Sequence, residues 1–203
     1  MMIAGSFANS GAARLFLGLL LIISWSVRAQ AAAERSSGEI LFLTGAVLLD
    51  GVDLASGTLR LPVDRSFELK TGEDGQIRFV GPGREDTRLR ERSHLVWNAG
   101  DQSWSVRSGL CGFWRRAQQP GSASDARRIS VPQGECLMQS GILVVKVKAS
   151  LSRVAAVKGA HQLLGPEGEC LALDEKKERA VAWKQTSQAY EVTDDCYYAW
   201  YWK

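Results

Sequence analysis

The most constraining feature of this sequence is a succession of short runs in which apolar and polar residues alternate, each closed by a turn that contains glycine. In TLRLPV (residues 58–63) the leucines and the valine fall on one face of an extended strand. Asp50-Gly51 and Asp74-Gly75 separate such runs, and both residue types tolerate the positive φ of two-residue hairpin turns. These runs predict an all-β fold of short antiparallel strands, arranged as a sandwich or as a solenoid-like stack.

The N-terminus has the three-part layout of a secretory signal peptide. Residues 1–14 contain no acid, Leu15–Val27 is predominantly apolar, and Ala29-Gln30-Ala31 has the small-x-small pattern of a cleavage site. The apolar run is shorter than the roughly 20 residues that a spanning helix usually needs, although an uncleaved segment would still tie the chain to a membrane. We predict a signal-peptide helix in residues 1–31, cleavage near Ala31, and a periplasmic or secreted mature protein.

The net charge of the mature chain is close to zero. The full sequence has 25 Lys and Arg against 22 Asp and Glu, and Arg14 and Arg28 leave with the predicted signal peptide. Subtraction leaves 23 against 22, a net charge of +1. This balance does not indicate nucleic-acid binding, and we expect no nucleic-acid partner. The densest charged stretch, Gly83–Ser93, mixes both signs and is interpreted as a solvated face.

A polar stretch rich in small residues, at residues 115–128, divides the mature sequence. We interpret it as a loop or linker between a β region at residues 38–114 and a C-terminal β region at residues 129–203. Whether the two regions form one domain or two stays open. In the second region the polar sequence EKKE (residues 175–178) predicts a turn between strands, and a short helix at Asp174–Arg179 is the minor alternative.

One phrase occurs twice, as PQGECL at residues 132–137 and as PEGECL at residues 166–171. Pro and Gly form a turn, and Cys and Leu begin the next strand, so the repeat predicts two similar turn-and-strand units. Equivalent positions on neighbouring strands lie about 4.8 Å apart, a separation that suits a disulfide. If the two units are adjacent in the sheet, Cys136 and Cys170 can therefore pair.

All four cysteines, Cys111, Cys136, Cys170 and Cys196, lie in the exported part, where an even number favours two disulfides. One arrangement joins Cys136 to Cys170 and Cys111 to Cys196. The other joins the cysteines sequentially, as Cys111–Cys136 and Cys170–Cys196. The sequence does not separate the two arrangements, and in either case a bridge would stabilise the domain by about 2–4 kcal/mol.

We predict no catalytic, cofactor or metal site. The sequence contains neither a Walker element nor a Gly-x-Ser-x-Gly nucleophile elbow, and its histidines, His94 and His161, are isolated. Paired carboxylates could serve glycoside cleavage or bind calcium, but turns and strand exits explain the acidic candidates more simply. These candidates are Glu73, Asp74, Glu135, Glu169, Asp194 and Asp195.

Aromatic residues are concentrated in two places. Trp97, Trp104, Phe113 and Trp114 lie in the first β region, and we expect them to fill a core. The chain ends in CYYAWYWK, which alternates enough to form a final strand and would expose much apolar surface if it were free. We predict a possible contact surface formed by Tyr197, Tyr198, Trp200, Tyr201 and Trp202.

The stretch Gly45–Trp97 resembles the FecR-type domain family. TGAVLLDG is similar to the opening Gly-x-Val strand of the family, and LPVDRSFELKTGEDGQIRF to its apolar step and xTGxDGxxxL element. VGPGREDTRLRERSHLVW resembles the next piece, in which a glycine turn leads to an alternating strand and then to a serine before an apolar pair. Two features depart from the family pattern: the Gly81-Pro82-Gly83 turn and the cysteine pairs.

The resemblance implies a β-rich module of the bacterial envelope. The family is known from the periplasmic sensor part of iron-citrate signalling proteins and also occurs as a free-standing exported module. Because a predicted signal peptide directly precedes the domain, we do not carry over the iron-signalling role. We expect a non-catalytic protein that binds an envelope protein or a cell-wall glycan without a cofactor. The alternatives are a cell-wall or carbohydrate-binding hydrolase, or an inhibitor of one, and a structural subunit of an envelope assembly.

Overall fold

Strands form where the alternating runs predict them. The computed structural model describes residues 37–54, 59–81, 85–117, 126–164, 169–182, 185–186 and 190–191. Within these residues the chain is all-β and contains no helix that could cross a membrane. The strands are β1 (Ser37–Thr44), β2 (Val47–Leu49), β3 (Val52–Asp53), β4 (Leu59–Pro62), β5 (Phe67–Thr71), β6 (Gln76–Val80), β7 (Asp86–Leu89), β8 (His94–Asn98), β9 (Ser103–Arg115), β10 (Arg127–Val131), β11 (Gly134–Met138), β12 (Gly141–Lys148), β13 (Leu151–Lys158), β14 (His161–Leu164), β15 (Cys170–Leu173), β16 (Lys177–Ala182), β17 (Gln185–Thr186) and β18 (Tyr190–Glu191).

Hydrogen bonds join these strands into one continuous mixed network with two parts. Sheet I has the order β4-β1-β6-β7-β9-β12-β13-β16, and both β17 and β18 pair with β16. Sheet II has the order β3-β2-β5-β8-β9-β10-β11-β14-β15. Every pairing is antiparallel except the parallel contact between β9 and β10. The antiparallel expectation is therefore confirmed for all but this pair.

Strand β9 belongs to both sheets. Its first half, up to Ser108, pairs with β8 in sheet II, and its second half, from Gly109, pairs with β12 in sheet I. The change of sheet coincides with a bulge in the β8–β9 register and with a φ of 88° at Gly109. A side chain at Gly109 would overlap the Oγ and Cα atoms of Ser93. Glycine is required here because the backbone is left-handed and lies against a neighbouring turn.

The inner faces of the two sheets share a single hydrophobic core. At its centre the side chains of Phe67, Phe79, Trp97 and Trp104 pack with ring centroids 4.8 to 6.5 Å apart. The indole nitrogen of Trp97 donates a hydrogen bond of 2.9 Å to the carbonyl of Val63, which satisfies its buried polar group. The predicted core role is confirmed for Trp97, Trp104 and Phe113, which are each exposed by 3% or less. It is wrong for Trp114, which alternation on β9 directs to the opposite face of sheet I, where it is partly buried.

The Asp50-Gly51 turn forms the predicted hairpin, between β2 and β3, whereas Asp74-Gly75 connects β5 of sheet II to β6 of sheet I and closes no hairpin. Asp50 and Gly51 both have positive φ, at 51° and 81°, and Oδ1 of Asp50 accepts a hydrogen bond of 2.8 Å from the backbone amide of Glu68. Oδ1 of Asp74 accepts a hydrogen bond of 3.2 Å from the amide of Ala46. The minor alternative of a helix at Asp174–Arg179 is wrong, because β16 begins within that segment, at Lys177.

The two β regions on either side of residues 115–128 are not separate in space. Strand β9 of the first region pairs with β10 and β12 of the second, and both regions contribute to the shared core. The described residues of both regions accordingly belong to one compact unit. The predicted signal-peptide helix lies outside the described residues.

We expect Gly109→Val to destabilise the domain by about 2–4 kcal/mol, because a β-branched residue is strained at this φ and collides with Ser93. Unfolding in urea, followed by tryptophan fluorescence, measures the change. Gly100→Ala is the control, since nothing lies within 4 Å of a Cβ at this turn and a change below about 0.5 kcal/mol is expected. Equal effects of the two substitutions would contradict the role assigned to Gly109.

Candidate functional site

Three of the four cysteines lie in the described residues, and none of these three forms a disulfide there. Cys111 and Cys136 are buried in the core, whereas Cys170 is exposed. Burial raises the pKa of the Cys136 thiol to about 12, and it raises the pKa of the Cys111 thiol as well. Both core thiols are therefore protonated and poor nucleophiles at neutral pH. Cys196 lies outside the described residues, so the pairings that involve it stay predictions.

The repeated phrase forms two strands of sheet II that are not neighbours. Cys136 lies on β11 and Cys170 on β15, and β14 pairs with both strands and separates them. Two strand spacings are about 9.6 Å, which exceeds the Cα separation that a disulfide bridges. The repeat thus predicts both strands correctly, while the turn of the second unit, at residues 166–168, lies outside the described residues. The adjacency needed for a Cys136–Cys170 bond is not met.

The acidic candidates are dispersed. Oε1 of Glu135 lies 3.0 Å from Nε of Arg128 on the neighbouring strand β10. Glu169 precedes β15, on the far side of β14 from Glu135. Glu73 lies in an exposed turn, in an ion pair of 2.7 Å with Arg92. Asp194, Asp195 and the tail surface Tyr197, Tyr198, Trp200, Tyr201 and Trp202 lie outside the described residues. In the described part of the chain, no three His, Cys, Asp or Glu residues are grouped as metal ligands would be.

The two histidines are structural groups in different environments. Nε2 of His94 lies 3.1 Å from Oε1 of Glu68 on the neighbouring strand β5. His161 is 3% exposed, and its Nε2 lies 3.0 Å from the carbonyl oxygen of Lys158, so this nitrogen donates the hydrogen bond. Burial lowers the pKa of both imidazoles and keeps them neutral near pH 7.

The outer face of sheet I carries a second apolar cluster, which we call the outer patch. Along β12 the side chains of Leu143, Val145 and Val147 enter the core, whereas Ile142 and Val144 point to the opposite face. There they pack with Ala155 and Val157 of β13, and the partly buried Leu110 and Trp114 of β9 complete the cluster. The four residues of β12 and β13 in the patch are exposed by 5% or less. The accessible part of this face therefore lies further along the β12–β13 hairpin.

A cavity of about 140 Å³ opens at that end of the hairpin, on the same outer face. We call it the cationic cleft, and the described residues that line it are Lys146, Lys148, Leu151 and Arg153. Lys146 lies directly across from Arg153 and Lys148 directly across from Leu151, so the register of one strand pair assembles all four side chains. Nη1 of Arg153 lies 3.7 Å from Oε1 of Glu178, a carboxylate on β16 that is 4% exposed.

A second group of charges lies at one end of the shared core. Glu85 precedes β7, Arg115 ends β9 and Arg127 begins β10. Glu85 Oε1 lies 3.1 Å from Nε of Arg115 and 2.8 Å from Nη2 of Arg127, and the Arg127 guanidinium lies 5.2 Å from the centre of the Trp97 ring. All three charged side chains are exposed by 12% or less. This arrangement joins both sheets through one buried carboxylate.

The charged stretch at residues 83–93 is consequently not the solvated face that its mixed charges suggest. Glu85 and Asp86 are 8% and 6% exposed. Asp86 is paired with Arg78, whose Nε donates a hydrogen bond of 2.8 Å to its Oδ2. The partners of Glu85 lie 30 and 42 residues away in sequence, by subtraction from Arg115 and Arg127. No local pattern could have indicated them.

Comparison with known proteins identifies the fold. No family model matches the sequence, and no curated protein matches it. Two crystal structures of a "putative anti-sigma factor" from Parabacteroides distasonis ATCC 8503, at 2.50 and 1.65 Å resolution, are similar, each with a TM-score of 0.56 and 13% identity. The matches cover 68% and 66% of this chain, which spans 65% and 64% of the length of those chains. At this identity the likeness shows a shared all-β fold.

We expect Glu85→Ala to lower the free energy of unfolding by about 3–5 kcal/mol, because it leaves two buried guanidinium groups without their shared carboxylate. Urea unfolding at pH 7.5 measures this effect. Glu73→Ala is the matched control, since the side chains of the Glu73–Arg92 pair are 82% and 71% exposed and such pairs contribute at most about 1 kcal/mol. A Glu85 variant as stable as the control would contradict the buried network.

We expect stability to fall as the pH drops below the ordinary histidine pKa of about 6.5. The pKa of His161 is lowered in the folded chain, so the unfolded chain binds a proton there that the native chain does not. Urea unfolding between pH 7.5 and 5.5 should show a smaller slope for His161→Leu than for the wild type. Some slope remains in the variant, because burial also lowers the pKa of His94. Identical slopes would show that His161 does not contribute.

Proposed function

We propose that this chain is an exported, non-catalytic protein that binds a protein partner in the bacterial envelope through a FecR-like β domain. The observation that carries the proposal is the fold, since the two-sheet architecture resembles that of a protein named as an anti-sigma factor candidate. That name denotes a regulator that acts on another protein, which favours a regulatory or binding role. The similarity concerns the fold and not the identity of the partner.

The placement of the FecR-like stretch supports the proposal further. The stretch runs from Gly45 to Trp97 and contains β2 to β7 and most of β8. Its strands are distributed over the two sheets, with β4, β6 and β7 in sheet I and β2, β3, β5 and β8 in sheet II. They contribute Phe67 and Phe79 to the shared core. The stretch that resembles the family therefore consists of strands that pack on one core.

Partner capture tests the proposal. The full chain with a C-terminal affinity tag is produced in its own host, cross-linked in intact cells and purified, and the bound material is identified by mass spectrometry. We expect one dominant envelope protein. Glycan alone, or no reproducible protein, would overturn the proposal and favour a carbohydrate-binding role.

A matched control tests the location of binding. Deletion of residues 2–31 removes the predicted signal peptide and leaves the β domain intact. We expect this variant to lose the envelope partner. Capture of the same partner without residues 2–31 would show that the interaction does not require export.

A further inference from the structure

We propose that the cationic cleft binds carboxylate side chains of an acidic segment in the partner protein. The inference rests on the proposed function for the existence of a protein partner, and it adds the place and the chemistry of recognition. In the described part of the chain the cleft is lined by Lys146, Lys148, Leu151 and Arg153 on the outer face of sheet I.

The volume of the cleft suits a small anionic group with part of its stem. A water molecule occupies about 30 Å³ in the liquid, so 140 Å³ holds a few groups of that size. Lys146 is half-buried, and Lys148 and Arg153 are exposed, so all three cations can reach a group that enters from solvent. Leu151 supplies an apolar wall for the methylene groups of a glutamate or aspartate.

The charges of the cleft are incompletely compensated. Lys146 and Arg153 are direct cross-strand partners, and like charges in such positions repel each other. Lys148 adds a third cation two residues along the same face. Among the described residues, Glu178 is the acid that contacts Arg153, at 3.7 Å, and the three cations of the cleft exceed this acid by two charges. An anion at this position would remove the repulsion, so the field of the cleft favours an acidic ligand.

The surroundings favour an acidic protein segment over inorganic phosphate. Nη1 of Arg153 faces Glu178, so fewer of the guanidinium N–H groups are available to bind a phosphate in bidentate fashion. Two lysines, which act as point charges, supply the rest of the field. The partly buried Leu110 lies directly across from Lys146 on β9, and with Leu151 it gives the cleft two apolar borders. Apolar borders around a charged centre match a peptide side chain better than a free oxyanion.

Nuclear magnetic resonance with a defined probe tests the chemistry. Isotope-labelled protein, purified after export, is titrated with hexaglutamate, with hexaglutamine and with inorganic phosphate. We expect saturable shifts of backbone amides in residues 146–153 with hexaglutamate, none with hexaglutamine, and at least tenfold weaker binding of phosphate. Absence of shifts with hexaglutamate, or equal binding of phosphate, would overturn the choice of a carboxylate segment.

A pair of variants tests the place. Lys146→Glu/Lys148→Glu reverses two charges of the cleft, and Lys158→Glu/Lys176→Glu makes the same change of charge at two exposed lysines near the opposite end of β13 from the cleft. We expect the first variant to bind hexaglutamate at least tenfold more weakly, which is about 1.4 kcal/mol, and the second to bind like the wild type. Equal losses in the two variants would show that net charge, and not the cleft, governs binding.

The same variants separate this inference from the proposed function. Cross-linking in cells should lose the envelope partner with the Lys146/Lys148 variant and keep it with the Lys158/Lys176 variant. If both variants keep the partner, the cleft is not its binding site, while the proposed function stands. If the wild type captures no protein, the proposed function is wrong, regardless of the result of the hexaglutamate titration.

Discussion

The change of sheet within β9 is the constraint on which the rest of the structure depends. One extended strand pairs with β8 in one sheet and with β12 in the other, so the two sheets are joined by covalent backbone as well as by packing. The bend is possible because Gly109 adopts a positive φ in a place where no Cβ fits. The backbone amide of Leu110, next to this bend, donates a hydrogen bond of 2.9 Å to Oγ of Ser93. With this corner in place, the inner faces of both sheets are directed into one core.

The same register that fills the core also builds the outer face. Successive residues of β12 point to opposite sides, so Leu143 and Val145 enter the core, whereas Val144 and Lys146 point outward. A slip of one residue would bury lysines and expose valines, so the core fixes the outer face indirectly. The cationic cleft is thus a product of pairing between β12 and β13 and does not require a special loop. The strands fix the backbone positions from which its side chains extend.

Local features of the fold could be predicted from sequence, and non-local features could not. Alternation predicts the strands, and Asp50-Gly51 predicts the β2–β3 hairpin, because both depend on neighbours within a few residues. The repeat around Cys136 and Cys170 predicts two similar strands. It does not indicate that β14 lies between them in the sheet. The burial of Glu85 and the opposition of Lys146 and Arg153 depend on which strands pair. The residues of the candidate site were missed for that reason, and a search for cations at alternate positions of a hairpin could have found them.

Two charged groups of this domain break the usual rules of sheet composition, and they differ in how the charge is balanced. In the buried group, Glu85 contacts two arginines, and the Trp97 ring covers one guanidinium, so the network is complete within the chain. In the cleft, Glu178 contacts Arg153 while Lys146 lies directly across from it. Buried charges whose partners lie within the same fold, as around Glu85, stabilise the domain. Like charges that face each other at the surface, as in the cleft, lower its stability, and such unfavourable pairs are expected at functional sites. This difference assigns Glu85 to the architecture of the domain and the Lys146–Arg153 pair to recognition.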